Sequence, residues 1–251
     1  MRAMARLTWL TAPCAVVSLA AVSLVAQNAS PAITGQDILA GLTNPGRWLT
    51  YSGEYNGRRH SPLTQITPAN VGRLAPQWTF QAETLALNRG FEATPLAVDG
   101  ILYVTGSFNY AWAIDARTGR PFWKYRRELP NNLTYGASAP VNRGFAILGD
   151  RLFMVTLDAH LLAMDSRTGG VIWDTVLADY RVGYSATLAP LVVKDKIIVG
   201  ISGGEYPTRG FLDAYDPQTG NRVWRFYTVP GAGEKGSETW PNTDVLARGG
   251  G

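Results

Sequence analysis

An eleven-residue pattern occurs three times in this chain, in phase, and it narrows the possible folds more than any other feature. It reads Ala113-x-Asp115-x-x-Thr118-Gly119-x-x-x-Trp123, then Ala163-x-Asp165-x-x-Thr168-Gly169-x-x-x-Trp173, then Ala214-x-Asp216-x-x-Thr219-Gly220-x-x-x-Trp224. The aspartates stand 50 and then 51 residues apart, and the tryptophans keep the same intervals. Each copy follows a short apolar run: Ile101–Val104, Leu152–Val155 and Ile197–Val199. Self-similarity at this period, written in strand and turn residues, predicts an all-β fold: a β-propeller with one four-stranded blade per period. The D-x-x-T-G segment suits a tight turn, because glycine accepts positive φ and the Asp and Thr side chains bond the local backbone. The tryptophan four residues after the glycine offers a flat apolar surface for the next blade.

The rest of the chain is read around that repeat. Residues 1–26 have the form of a secretory signal, with Arg2 and Arg6 ahead of an apolar run that ends in small residues. Pro13 and the interspersed Ser and Thr residues weaken the alternative, a membrane anchor. The single cysteine, Cys14, lies in this leader, so the expected mature domain, residues 27–251, has no disulfide framework and no thiolate metal site. Removing Arg2 and Arg6 from the 23 basic residues leaves 21 against 19 acidic ones, too even a balance to point to nucleic acid. Residues 27–60 read as irregular. Thr67-Pro68 reads as the start of a short helix, with Thr67 as its N-cap. Ala75–Phe80, with Trp78, looks like the end of a repeat without its beginning, and as a stray strand it would need partners that this chain lacks.

Only three periods lie between Trp78 and Trp224, and the tail from Thr228 to Gly251 does not read as strand. Closed propellers need roughly four to eight blades. The chain is therefore expected to be part of a larger ring, with an open sheet edge.

Before its third turn the chain places a carboxylate, Glu205, directly after Ser202-Gly203-Gly204. On a segment otherwise rich in Ile, Val and Gly, such a group is expected to have a partner. This phrase, Ser202-Gly-Gly-Glu-x-x-x-Arg-Gly210, occurs together with Trp48…Tyr51–Leu63, Glu92-Ala-Thr-Pro-Leu96, Val141-Asn-Arg-Gly144 and Ala189–Asp195. Taken together, these phrases resemble the N-terminal part of the pyrroloquinoline quinone (PQQ)-dependent alcohol dehydrogenases of the methanol/ethanol type. The resemblance runs from Trp48 onward. It implies a periplasmic, eight-bladed quinoprotein propeller, about half of which is present here.

The resemblance also implies a site. PQQ is a flat, polyanionic ortho-quinone, so its pocket should offer a cation, hydrogen-bond donors and a hard metal ion. Glu205 is implied as a ligand of Ca²⁺ or a lanthanide ion, both of which favour oxygen. Arg143 would pair with a PQQ carboxylate through its guanidinium fork. Glu92 and Thr187 would hydrogen-bond the cofactor. Ser202, Gly203 and Gly204 would let the backbone approach the quinone. His60 and His160 are isolated in sequence and read as structural. The implied reaction oxidises a small alcohol to an aldehyde and passes electrons to a periplasmic acceptor such as a cytochrome c.

Two departures accompany the resemblance. Methanol-type enzymes carry adjacent cysteines just ahead of V-N-R-G, where this chain has Ala137-Ser138. The catalytic base is expected beyond Gly251, so the chain as written is expected to be inactive. Two other readings stay open. One is a non-catalytic propeller of the same repeat family that serves as a protein-binding scaffold, like the outer-membrane assembly lipoproteins. The other is a decayed pseudoenzyme.

Overall fold

The computed structural model describes residues 32–82, 90–133 and 140–249. The predicted leader, Cys14 and the Ala137-Ser138 pair lie outside the described residues. Within them, the three repeats form three four-stranded antiparallel sheets. Blade A contains β1 (Leu96–Val98), β2 (Ile101–Thr105), β3 (Tyr110–Asp115) and β4 (Pro121–Arg126). Blade B contains β5 (Ala146–Leu148), β6 (Arg151–Val155), β7 (His160–Asp165) and β8 (Val171–Val176). Blade C contains β9 (Leu191–Val193), β10 (Lys196–Gly200), β11 (Phe211–Tyr215) and β12 (Arg222–Tyr227). Each sheet is a meander in chain order, as the repeat predicts.

The motif residues have separable jobs. Asp165 Oδ1 accepts the backbone N–H groups of Arg167 and Thr168, and Asp115 and Asp216 repeat the arrangement. The glycines that close these turns, Gly119, Gly169 and Gly220, have φ of +74°, +74° and +72°, a region costly for other residues. The alanine at the head of each motif sits directly across from the motif tryptophan: Ala113 opposite Trp123, Ala163 opposite Trp173 and Ala214 opposite Trp224. A β-bulge follows each alanine. A small residue at that place leaves room for the indole to turn toward the next blade.

It does turn that way. A Cβ built on Gly169 would lie 2.7 Å from the Trp123 ring, and one on Gly220 would lie 2.8 Å from Trp173. The indole N–H groups donate to Ser166 and Pro217 carbonyls at 2.9 and 3.2 Å. Trp78 treats blade A in the same way, packing over Gly119 and donating to the Ala116 carbonyl at 3.0 Å. Residues 75–80 do so without pairing into a sheet, in keeping with a segment whose strand partners this chain lacks. The contact needs only the indole.

Burial follows from blade order. Blade B has a neighbour on each face, and Leu161 in β7 is fully buried. Leu212, at the same place in β11 of blade C, is 40% exposed, and Trp224 is 45% exposed. The core is therefore densest in blade B, around Phe145, Phe153, Leu152, Leu162 and Met164.

The segment ahead of the blades is more ordered than its composition suggests. A six-residue helix, α1 (Gly35–Ala40), starts at a capping box in which Thr34 Oγ1 accepts the Asp37 N–H and the Asp37 carboxylate accepts the Thr34 N–H. It buries only Ile38, too little to leave a helical hydrophobic pattern. Thr67 does not cap with its side chain. Its carbonyl accepts the Asn70 and Val71 N–H groups, and Asn70 Oδ1 accepts the Thr67 N–H, leading into a single 3-10 turn at Val71–Arg73. The tail after Tyr227 holds a 3-10 turn and a short helix, α2 (Thr243–Arg248), and among the described residues no strand. No helix of the described residues is long and apolar enough to cross a membrane.

Candidate functional site

Antiparallel order puts the starts of β1, β5 and β9 at one end of the blades, opposite the D-x-x-T-G turns. Glu92, Arg143 and Thr187 each lie three or four residues ahead of one of these strands. They lie at the same end of three consecutive blades, within one position of equivalence, and the backbone binds those segments together. The Thr94 N–H donates to the Arg143 carbonyl at 3.1 Å, and the Arg143 N–H donates to the Thr187 carbonyl at 2.9 Å.

The side chains continue the connection. Arg143 Nη2 lies 2.9 Å from Glu92 Oε2, and Arg143 Nη1 donates to Thr187 Oγ1 at 2.6 Å. Thr187 Oγ1 in turn lies 3.3 Å from the Ser202 hydroxyl. Four residues singled out from the sequence thus form one chain of contacts, drawn from three blades. The Arg143 and Glu92 side chains keep 41% and 37% of their surface exposed, so their ion pair contributes little to stability. Its effect is to orient the guanidinium, whose Nε has no partner among the described residues.

Ser202 enters the chain because its segment pairs back on itself, through bridging hydrogen bonds between Ser185 and Ser202. Gly203 is buried, with φ of +132°. A side chain on it would meet Thr208 Oγ1 at 2.8 Å and the Gly183 carbonyl at 2.9 Å. This glycine is therefore required by packing inside its own blade. Gly204 and Glu205 are exposed, in a turn beyond the end of β10. The carboxylate is solvated there, so the expected desolvation penalty does not arise, and Glu205 makes no hydrogen bond or ion pair among the described residues. Nor do three His, Cys, Asp or Glu side chains come together as a metal cluster among them. His160 lies in a structural cluster, with Nδ1 2.6 Å from Asp174 and with Arg127 bridging Asp174 and buried Asp158.

A cleft of about 350 Å³ opens beside Arg143, lined also by Thr50, Tyr51, Tyr55, Leu188 and Leu191. Tyr55 donates to the Val192 carbonyl at 2.5 Å, and burial pushes its phenol above the usual range. Tyr51 and Tyr55 come from the Tyr51–His60 stretch, whose polar, irregular composition carries no periodic signal of a pocket wall.

The Arg143 guanidinium, with the Thr187 and Ser202 hydroxyls in its network, suits a planar polyanion; the exposed Glu205 carboxylate is joined to that network by no hydrogen bond or ion pair among the described residues. Comparison with known proteins gives the family. A profile described as "PQQ: Glucose/ethanol/alcohol dehydrogenase, beta-propeller domain" matches residues 48–250. The chain is 39% identical to the quinohemoprotein alcohol dehydrogenase ADH-IIG of Pseudomonas putida, over 94% of this chain and 34% of that protein. It is 40% identical to the 1-butanol dehydrogenase (quinone) of Thauera butanivorans, over 86% and 35%. Among solved structures, ADHIIG of Pseudomonas putida HK5 superposes with a TM-score of 0.78 at 39% identity, over 88% of this chain and 34% of that one. A europium-containing methanol dehydrogenase gives 0.77 at 34% identity, over 84% and 40%. The chain thus spans little more than a third of the length of these relatives. With its three blades and its matched profile, the chain belongs to the PQQ glucose/ethanol/alcohol dehydrogenase β-propeller family.

Proposed function

We propose that this chain supplies part of the cofactor site of an exported quinoprotein alcohol dehydrogenase that converts an alcohol to an aldehyde. When bound, PQQ supplies a quinone carbonyl able to accept hydride from an alcohol carbon. The chain's own residues bind and orient. Arg143 holds a carboxylate of the cofactor, and Glu92 and Thr187 fix the plane of its guanidinium. Ser202 and Thr187 offer hydroxyls at the cofactor edge. Glu205 provides carboxylate oxygens to Ca²⁺ or a lanthanide ion, whose role is that of a Lewis acid. A periplasmic acceptor such as a cytochrome c would take the electrons.

What supports this reading is the convergence of Glu92, Arg143, Thr187 and Ser202 on one another from three consecutive blades. A scaffold that binds only proteins has no use for a guanidinium pinned between a carboxylate and a hydroxyl at the ends of inner strands. The test is a titration of the full-length protein with PQQ, with Ca²⁺ or La³⁺ present and then chelated, followed by quenching of tryptophan fluorescence. Saturable binding that needs the metal is expected. Absence of binding with either metal would return the chain to the scaffold reading.

A further inference from the structure

The turn that carries Arg143 is held by a buried carboxamide. Asn142 is 1% exposed. Its Nδ2 donates to the Val155 carbonyl at 2.9 Å, and its Oδ1 accepts the Gly144 N–H at 3.0 Å. The second bond closes a loop over Arg143, while the first ties that loop to the end of β6. Gly144 has φ of +132°, and a side chain there would lie 2.9 Å from the Thr94 carbonyl. Glycine is therefore required, and it makes the segment intrinsically loose. The Asn142 side chain removes that looseness.

A second carboxamide grips the same place from blade A. Asn109 is fully buried; its Oδ1 accepts the Leu157 N–H at 2.8 Å, and its Nδ2 reaches the Val155 carbonyl at 3.4 Å. The two asparagines share one acceptor, yet only Asn142 touches the Arg143 turn.

We propose that Asn142 is a positioning residue for the anion contact of Arg143, acting by closing the Asn142–Gly144 turn against blade B. The inference rests on the reading of Arg143 as the partner of a cofactor carboxylate. A half-exposed arginine has many rotamers, and the direction of its side chain is set by its backbone. Without the carboxamide, the Gly144 N–H loses its acceptor and the guanidinium is no longer presented in one orientation between Glu92 and Thr187.

A double-mutant cycle on the full-length protein tests this, with PQQ affinity and thermal midpoint measured side by side. Asn142→Ala is expected to weaken PQQ binding about tenfold, the scale of one misaligned charge-assisted contact. Asn142→Ser, which keeps a short acceptor for the Gly144 N–H, is expected to lose less and to provide the measurement if Asn142→Ala does not fold. In an Arg143→Ala background the Asn142 substitutions should cause no further loss, because a residue acting through another is non-additive with it. Asn109→Ala should lower the thermal midpoint yet leave affinity within about twofold. An additive loss in the Arg143→Ala background, unchanged affinity in folded Asn142 variants, or an equal loss in Asn109→Ala would each overturn the assignment. If Arg143→Ala itself binds PQQ normally, the reading of Arg143 fails first, a result distinguishable from the others.

Discussion

Thr187 Oγ1 accepts a 2.6 Å hydrogen bond from the Arg143 guanidinium, although the two residues are 44 positions apart and stand at the heads of neighbouring blades. The contact exists because the backbone N–H of Arg143 already donates to the Thr187 carbonyl. Blade-to-blade packing therefore sets the position of the site. Substituting Thr187→Val removes the hydroxyl that both Arg143 and Ser202 contact. A loss of about 1 kcal/mol in PQQ binding is expected, about fivefold in affinity, while Arg143→Ala should lose more, about 1.5–3 kcal/mol. Fluorescence titration of the full-length protein measures both, and equal affinities in all three proteins would remove this network from the cofactor site.

Glu205 separates binding from stability. It is exposed and makes no hydrogen bond or ion pair among the described residues, so Glu205→Gln should move the metal-free thermal midpoint by no more than the equivalent of about 0.5 kcal/mol. Affinity for La³⁺ or Ca²⁺, followed by calorimetry, should fall at least tenfold, because a neutral amide is a poor substitute for a carboxylate on a hard cation. A variant with wild-type metal affinity would take Glu205 out of the metal site.

The interblade tryptophans yield a controlled comparison. Gly169 and Gly149 both have positive φ, +74° and +66°. A methyl group on Gly149 meets nothing within 4 Å, whereas one on Gly169 meets the Trp123 ring at 2.7 Å. Gly149→Ala should therefore cost only the backbone strain, about 1 kcal/mol. Gly169→Ala should cost a further ~1–3 kcal/mol, since the indole must shift from a packed position. Denaturant midpoints on the two variants check the difference; equal losses would mean that the indole contact is slack.

Acid should act on the turns. Backbone N–H donation from Arg117 holds Asp115 below the usual carboxylate range, and donation from Thr219 does the same for Asp216. Burial pushes Asp165 up, but its bonds from Thr168 and Arg167 outweigh that and lower it. A carboxyl whose folded pKa is depressed contributes stability that is fully present above its unfolded value, about 3.9, and lost as pH falls through the folded value. The thermal midpoint should thus be insensitive to these groups between about pH 5 and 8 and should drop below about pH 4. An Asp115→Asn/Asp165→Asn/Asp216→Asn protein, which keeps an acceptor oxygen but has no carboxyl to titrate there, should show a shallower drop. An unchanged acid profile would place the sensitivity elsewhere, for example at Asp174, which burial pushes up but bonds from Arg127 and His160 lower overall.

Blade C contains a buried ion pair that the repeat does not announce. Asp213 is fully buried, Arg225 meets it with two bonds of 2.7 Å, and the Tyr215 hydroxyl donates to it at 2.7 Å. Arg225→Leu would leave a buried carboxylate without its cation and should destabilise by about 3–5 kcal/mol. Denaturant unfolding checks it, and a small loss would indicate that water reaches Asp213.

How much of this could be read beforehand differs by feature. The three blades, their turns and the interblade indoles were legible, because Asp, Gly and Trp each have a local reason to stand where they do and recur at a fixed interval. Glu92, Arg143, Thr187 and Ser202 were legible as candidates through family resemblance, but their mutual contacts were not. Nothing in V-N-R-G shows that its asparagine and its arginine face different partners. The α1 cap and the Thr67 turn were missed or misread for the opposite reason: short elements that bury one side chain or none leave no periodic trace.

Residue order alone was enough to settle the class of fold and the spacing of its blades, since turn chemistry and the match of alanine to tryptophan operate over a dozen residues. It could not say that Gly203 is filled by Thr208, that Glu205 faces water, or that three strand heads meet at Arg143. The first and second depend on how the end of one blade folds on itself, and the last on contacts between residues dozens of positions apart that arise only once blades have packed and their backbone groups have found partners across the interface.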